Sequence, residues 1–274
     1  MNKEPLVVYH DCCDDGFCAA WVAWKRFGRK ADFLPSFYGA PAPDVSSRTI
    51  YVLDFSFTRE EMKRLIATGN RVILLDHHKS ALQELGPDQD EFGRPGVDFQ
   101  FEFDMDRSGA MMAWDHFYPG TDAPMLVRYV EDRDLWRRRL PNVDEFTMGL
   151  RSFPRSFDLW NRIEPEKLIA DGTPILRFVR RHVEQLCDHA YSWRIDRHVV
   201  PTANSPQAFA VDVAAKLSED APFGAAYYDT LDQRVFSLRS YGPDRVDVSE
   251  IARRYGGGGH IHAAGFRLPR GMMP

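Results

Sequence analysis

Three short apolar runs, residues 6–9, 50–53 and 72–75, each lead straight into acidic or imidazole residues: His10, Asp54, and Asp76-His77-His78. Four apolar residues in a row, without alternation, is the pattern of a strand buried on both faces. Helical patterns separate the runs. Gly16 opens one, with Phe17, Ala20, Trp21, Trp24 and Phe27 at three- and four-residue spacings and Gly28 as a stop. Thr58-Arg59-Glu60-Glu61 is a capping box ahead of Met62, Leu65 and Ile66. Strand and helix in alternation predict an α/β fold, a parallel sheet with helices on both faces. Ligands of such sheets gather beyond the carboxyl ends of the strands. All three runs end there in groups able to ionise or to bind a metal.

Further along, residues 81–100 read as a polar loop containing Gly and Pro. Helical patterns follow over 108–117, 123–136, 143–150 and 156–162. Residues 165–190 read as a longer helix, interrupted at Asp171-Gly172-Thr173-Pro174, where Thr173 can recap it. Strand-like segments at 225–228 and 235–238, a helix over 248–255 and a run of four glycines, Gly256-Gly257-Gly258-Gly259, then mark a change of character. A length of 274 residues fits two domains at roughly 150 residues each. The expected division is a first domain over 1–165, a helical linker over 166–199 and a smaller α/β domain over 200–274.

Composition narrows the function. With 44% hydrophobic and 27% charged residues the chain reads as globular, not disordered. Lys and Arg number 35 against 40 Asp and Glu, a net charge of −5. That excludes duplex binding driven by overall charge and leaves a local basic groove open. No apolar run approaches the ~18–20 residues of a membrane span. The start, MNKEPLVVYHDCCDDG, lacks the apolar core of a signal peptide. Cys12, Cys13, Cys18 and Cys187 do not make a disulfide framework. The expectation is a cytoplasmic protein with no membrane partner.

His10, Asp14, Asp15, Asp54, Asp76, His77, His78, Asp132 and Asp134 are the residues around which chemistry can be built. Hard divalent cations take carboxylate oxygens, and the mid-series metals also accept imidazole. Carboxylates brought together without a cation repel one another, so a metal is the simplest way to stabilise such a cluster. A Cys–His nucleophile built on Cys12 or Cys13 is a poor alternative, because it leaves Asp54 and the Asp76-His77-His78 triplet unexplained.

The ordered set of motifs resembles the DHH phosphoesterases: single-strand exonucleases, nanoRNases, cyclic-dinucleotide phosphodiesterases and the related manganese pyrophosphatases. The first motif is Tyr9-His10-Asp11-Cys12-Cys13-Asp14-Asp15-Gly16-Phe17, the second Val52-Leu53-Asp54 and the third Asp76-His77-His78. Ser108-Gly109-Ala110 and Glu131-Asp132-Arg133-Asp134 follow in order. Ser237-Leu238-Arg239-Ser240 and the glycine block, continued by His260-Ile261-His262-Ala263-Ala264-Gly265, are similar to the DHH-associated C-terminal domain. The resemblance covers nearly the whole chain.

It implies two Mn2+ ions, with Mg2+ or Co2+ as substitutes. His10 would ligate the first ion and Asp15 the second, with Asp54 bridging both. His77 and Asp132 would complete the second site, Asp76 would fix the tautomer of the neighbouring imidazole, and His78 would face the substrate phosphate. Most relatives carry Asp-x-Asp-Gly in the first motif, and some have Cys at its first position, where this chain has Cys13-Asp14-Asp15-Gly16. The first aspartate is therefore either replaced by Cys13 or displaced to Asp14. Asp132 and Asp134 cannot share one helix face at a two-residue spacing. Asp132 matches the family's ligand, which leaves Asp134 to support the site without binding metal.

Substrate groups are read more openly. Ser108 either caps a helix or helps its free amides meet a phosphate. Arg239 is either a phosphate partner or a surface residue, and Arg137-Arg138-Arg139 either a solvated face or a phosphate contact. Four glycines cost backbone entropy that a close approach must offset. They are either a loop between strands or a surface where Gly257, Gly258 and Gly259 meet a nucleotide, with His260 against it. The tryptophans fall at helical spacings and read as core.

The leading expectation is a phosphoesterase. It would hydrolyse phosphodiester or phosphomonoester bonds of a small nucleotide or short single-stranded oligonucleotide, an oligoribonuclease-like activity, by attack of a metal-activated hydroxide. The alternatives are a pyrophosphate or polyphosphate hydrolase, and a nucleotide-binding module impaired at the first metal site. A homodimer is left open.

Overall fold

In the computed structural model, which describes residues 4–11, 13–85, 98–242, 245–272 and 274, the three apolar runs become β1 (Leu6–His10), β3 (Thr49–Leu53) and β4 (Arg71–Asp76). They lie side by side and parallel, with Tyr9 opposite Leu53 and Leu53 opposite Leu75. Side chains alternate across this sheet. Val7, Tyr9, Leu53, Ile73 and Leu75 enter one core, and Leu6, Val8, Ile50, Val52, Val72 and Leu74 enter the other. Helices α1 (Asp14–Phe27), α4 (Gly109–Phe117) and α5 (Met125–Asp134) cover the first face. Met62 and Leu65 of α2 (Arg59–Ala67) cover the second. A strand apolar on both sides is satisfied only in this arrangement.

Two strands at the edges complete a five-stranded sheet in the order β2-β1-β3-β4-β5. Strand β2 (Asp32–Ser36) contains Pro35, which an edge strand tolerates and a central one does not. Strand β5 (Phe99–Phe103) alternates Phe with Gln100 and Glu102, so that Phe99, Phe101 and Phe103 face the second core. The polar loop expected over 81–100 is thus replaced at both ends, by α3 (Lys79–Leu85) and by β5. Its middle, 86–97, lies outside the described residues, as does Cys12.

Helices α6 (Val143–Arg151), α7 (Phe157–Trp160) and α8 (Pro165–Cys187) follow. The interruption expected at Asp171-Gly172-Thr173-Pro174 does not occur, and α8 runs through Pro174. Sterics explain the glycine. A Cβ on Gly172 would sit 1.7 Å from the Glu145 carbonyl oxygen, and one on Gly149 would sit 2.0 Å from that of Leu168. The two glycines let the backbones of α6 and α8 touch.

The chain divides into two compact units, Met1–Leu176 and Arg177–Pro274, and α8 carries it from one to the other. The second unit has its own six-stranded sheet in the order β10-β11-β9-β8-β7-β6. Its strands are β6 (Tyr191–Ile195), β7 (His198–Asn204), β8 (Gly224–Asp229), β9 (Gln233–Arg239), β10 (Gly258–His260) and β11 (Ala263–Pro269). The sheet therefore begins at Tyr191, ahead of residue 200. Among the described residues of this second sheet, β7 and β8 pair in parallel and the other neighbours antiparallel. Helices α9 (Gln207–Leu217) and α10 (Val248–Arg254) pack in two separate apolar clusters, around Val213 and around Ile251. Among the described residues no helix is long and apolar enough to cross a membrane.

Candidate metal centre

The parallel register brings the carboxyl ends of β1, β3 and β4 to one edge, and the polar residues that follow them meet there. Asp54 is the hub. Its backbone N–H donates to the Leu75 carbonyl at 2.9 Å, and its φ of 63° turns the side chain into the centre. Aspartate is among the few non-glycine residues that tolerate this left-handed region. Two glycines make room for it. A Cβ on Gly16 would lie 2.9 Å from Asp54 Oδ2, and one on Gly109 would lie 2.6 Å from Asp54 Cβ. Gly109 is thus explained by the approach of a helix N-terminus to Asp54, and Gly16 first by its approach to the His10 carbonyl, 2.1 Å from where a Cβ would sit, and then by Asp54.

Each Asp54 oxygen faces a different group. Oδ2 accepts from Cys13 Sγ at 3.1 Å and lies 3.5 Å from His10 Nδ1, while Sγ and Nδ1 are 3.4 Å apart. Oδ1 lies 3.0 Å from His77 Nε2, which is 3.6 Å from both Asp15 Oδ2 and Asp134 Oδ2. Bonds of about 2.0–2.3 Å to one cation set neighbouring donor atoms roughly 3–4 Å apart. The first triangle has that spacing on all three sides, and His77 Nε2 has it to each of Asp54, Asp15 and Asp134. His10, Cys13 and Asp54 form one set of donors and Asp15, His77 and Asp134 another, with Asp54 adjoining both. Asp134 Oδ2 and Asp76 Oδ2 are buried without a hydrogen bond, a costly state that a cation relieves.

The electrostatics agree with the geometry. Burial pushes the Asp15 carboxyl well above its usual range, and the charges of Asp54 and Asp134 add to it. Burial raises Asp134 as well. Burial works against charge on His77, but Asp54, Asp134 and Asp15 outweigh it and lift the imidazole to about 10. Burial would also raise Asp54, yet bonds from His10 and His77 hold it well below the ordinary value. Several carboxyls and one raised imidazole are thus crowded into a buried space, an excess of negative charge that a cation would offset.

Several expected residues stand elsewhere or do other work. Asp132 does not join the cluster. It accepts from the Arg139 and Leu140 amides at 3.0 and 3.1 Å, holding the turn that leaves α5, and Asp134 takes the position expected for it. One signal pointed to Asp134: a carboxylate in the last residue of a helix opposes the macrodipole and needs a compensating reason. Asp14 also turns away. Burial would raise its carboxyl, but Arg151 at 2.7 Å and Arg155 at 3.4 Å hold it below the usual range. Cys13 occupies the site position instead, as N-cap of α1, with its sulfur accepting from Gly16 N–H at 3.2 Å.

Asp76 Oδ1 accepts from the His77 and His78 amides and binds His78 Nδ1 at 2.8 Å, so the imidazole it orients is His78. Ser108 is wholly buried and caps α4, while the Gly109 and Ala110 amides donate to Asp15 at 2.6 and 3.1 Å. The amides expected to meet a phosphate are therefore engaged by a side chain of the protein. Tyr38, not anticipated from sequence, sets its ring against His10 and His78 at centroid distances of 5.2 and 5.4 Å.

In the second unit, Arg239 donates to Ser237 Oγ at 3.2 Å and to the Leu238 carbonyl at 2.8 Å. Gly256 ends α10 at a φ of 76°. A Cβ on Gly257 or Gly259 would fall 2.1 Å from the Gly265 oxygen or 2.4 Å from the Ala263 oxygen. The close approach that these glycines permit is to β11. Gly258 and His260 bound the strand β10, which pairs with β11.

Fold and site define a two-unit α/β protein with a candidate dinuclear metal centre at the carboxyl edge of a parallel sheet. No protein-family model matches the chain. An uncharacterized protein of Acanthamoeba polyphaga mimivirus is 28% identical over all of this chain and 70% of its own length. Oligoribonuclease NrnB of Bacillus subtilis is 26% identical over 80% of this chain, which spans 59% of that protein. Among solved structures, the DHH domain of PF0399, a member of the s1p family of ribosomal proteins, superposes with a TM-score of 0.50 at 13% identity. That likeness covers 97% of this chain and 83% of the other. In fold the chain is similar to that DHH domain, and its ordered motifs resemble those of the DHH phosphoesterases.

Proposed function

We propose that this chain is a metal-dependent phosphoesterase acting on small nucleotides or on the ends of short single-stranded oligonucleotides. The observation that carries this is one buried carboxylate, Asp54, adjoining two sets of donors at cation spacing. The nucleotide class draws on the likeness to a protein named as an oligoribonuclease. In this reading His10, Cys13 and Asp54 hold one divalent cation, and Asp15, His77, Asp134 and Asp54 hold the other. Three carboxylates and one imidazole at the second site suit manganese. The chemistry supplied by such a pair is a water of lowered pKa and neutralisation of charge on a phosphoryl group.

The residues of the chain do the rest. Asp76 holds His78 through Nδ1 at 2.8 Å and so fixes the orientation of that imidazole, which is proposed to face the substrate phosphate. Tyr38 closes one side of the centre with an edge contact to His10. Arg239, Gly257, Gly258, Gly259 and His260 are proposed to bind the part of the substrate remote from the scissile bond. The free thiols Cys13, Cys18 and Cys187 support a reducing, cytoplasmic location.

The test is a panel of linear dinucleotides, 3′-phosphoadenosine 5′-phosphate, cyclic dinucleotides and pyrophosphate, assayed with manganese and with magnesium. Turnover of a nucleotide, faster with manganese, is expected. Turnover of pyrophosphate alone would move the protein to a different substrate class. Bound metal without turnover of any substrate would make it a binding module.

A further inference from the structure

The two halves of the centre differ in donor chemistry. Resting on the metal-centre reading above, we propose that the His10–Cys13–Asp54 half is a thiophilic site. It takes zinc, iron(II) or cobalt(II) through the Cys13 thiolate, while the oxygen-rich half takes manganese, so the centre holds two unlike ions. Around the first triangle the donors are one imidazole nitrogen, one sulfur and one carboxylate, at mutual distances of 3.4, 3.1 and 3.5 Å. The second half offers Asp15, Asp134 and Asp54 with a single imidazole. Thiolate selects the softer divalent ions, and carboxylate-rich sets suit manganese and magnesium.

The place of the sulfur is not explained by the helix it begins. N-caps favour Ser, Thr, Asp and Asn, and sulfur is a weak acceptor. Yet the Cys13 sulfur accepts from Gly16 N–H at 3.2 Å and is held by that bond facing His10 and Asp54. The neighbouring carboxylate, which would serve a hard ion, is drawn away: Asp14 is committed to Arg151 and Arg155. Within the His10–Cys13–Asp54 set, sulfur stands where Asp14 would have supplied a second oxygen donor. Binding is a simple exchange. The divalent ion bonds to sulfur, the S–H bond breaks and one proton passes to solvent, with no change of oxidation state.

Cobalt(II) reads this directly, because a thiolate ligand gives an intense near-ultraviolet charge-transfer band that oxygen and nitrogen ligands do not. The full chain, its metal content first measured and then removed with a chelator, is titrated with cobalt(II) alone and with manganese alone. The band is expected in the wild type, retained in Cys12→Ser and Cys187→Ser, and lost in Cys13→Ser. Cys13→Asp, whose new residue is itself a strong N-cap and so preserves α1, is expected to lose the band and to accept manganese in both halves. Cobalt bound to the wild type without the band, or a band that survives in Cys13→Ser, overturns the thiophilic site while leaving the metal centre standing. Failure of the wild type to bind either ion overturns the metal centre itself, and this inference with it.

Discussion

Asp54 combines three properties that seldom coincide: burial, a left-handed backbone and a carboxylate charge held well below its usual pKa. Asparagine tolerates the same backbone region, so Asp54→Asn is expected to fold normally. An amide cannot supply negative charge to two cations, and the variant should keep less than about a tenth of the hydrolytic rate. A folded variant above that level removes Asp54 from the bridging role. The acidic pair on α5 gives a sharper contrast. Asp132→Ala deletes two bonds to backbone amides and should cost about 1–3 kcal/mol of stability with metal content unchanged. Asp134→Ala removes a buried oxygen that makes no hydrogen bond, so it should cost the metal-free chain less stability than Asp132→Ala, while the second metal is lost. Urea unfolding and metal analysis on both variants decide between the two assignments. The reverse pattern would restore Asp132 as the ligand.

At the scale of the element, glycines set how close backbones come. Gly172 lies within α8, where alanine has the higher helix propensity by about 1 kcal/mol. Propensity alone predicts that Gly172→Ala stabilises. The Glu145 carbonyl, 1.7 Å from where the new Cβ would sit, predicts the opposite, by about 1–3 kcal/mol of overpacking. Chemical denaturation gives the sign. A stabilised variant would show that α6 and α8 part without cost. The same substitution at Gly109 pushes on Asp54, so its first effect is expected on metal affinity. Helix α1 shows how much of an element is readable in advance. Its apolar face and closing Gly28 follow from spacing. That Asp15 turns in to accept from the Gly109 and Ala110 amides does not, because those partners lie ninety-odd residues away in sequence.

For the whole molecule, the two units are expected to answer differently to substrate and to metal. Hydrogen exchange with manganese added should slow at residues 15–16, 54, 76–78 and 109–110, and not in the second sheet, because ligand binding stabilises the state that holds it. Slowing spread evenly over both sheets would count against a centre confined to the first unit. His260→Ala should raise KM for a dinucleotide several-fold and leave a small generic phosphodiester nearly unaffected, since remote binding energy matters only when the remote part is present. Equal losses on both substrates would place His260 in the chemistry. By itself the sequence determined the central strands, the helices between them, and the edge at which His10, Asp54, Asp76, His77 and His78 meet, because burial on both faces leaves a mark in local hydrophobicity. The edge strand β2 left no such mark, since its side chains are half solvated and it carries a proline. Which carboxylates turn inward was decided only by the tertiary structure. Asp14 and Asp15 are neighbours, as are Asp132 and Asp134 but for one residue, and local pattern treats each pair alike. Arg151 and Arg155 draw Asp14 outward, the Arg139 and Leu140 amides hold Asp132, and Asp15 and Asp134 remain beside His77. Those partners are distant in the chain or folded back upon it, so the choice depends on packing that no window of sequence contains.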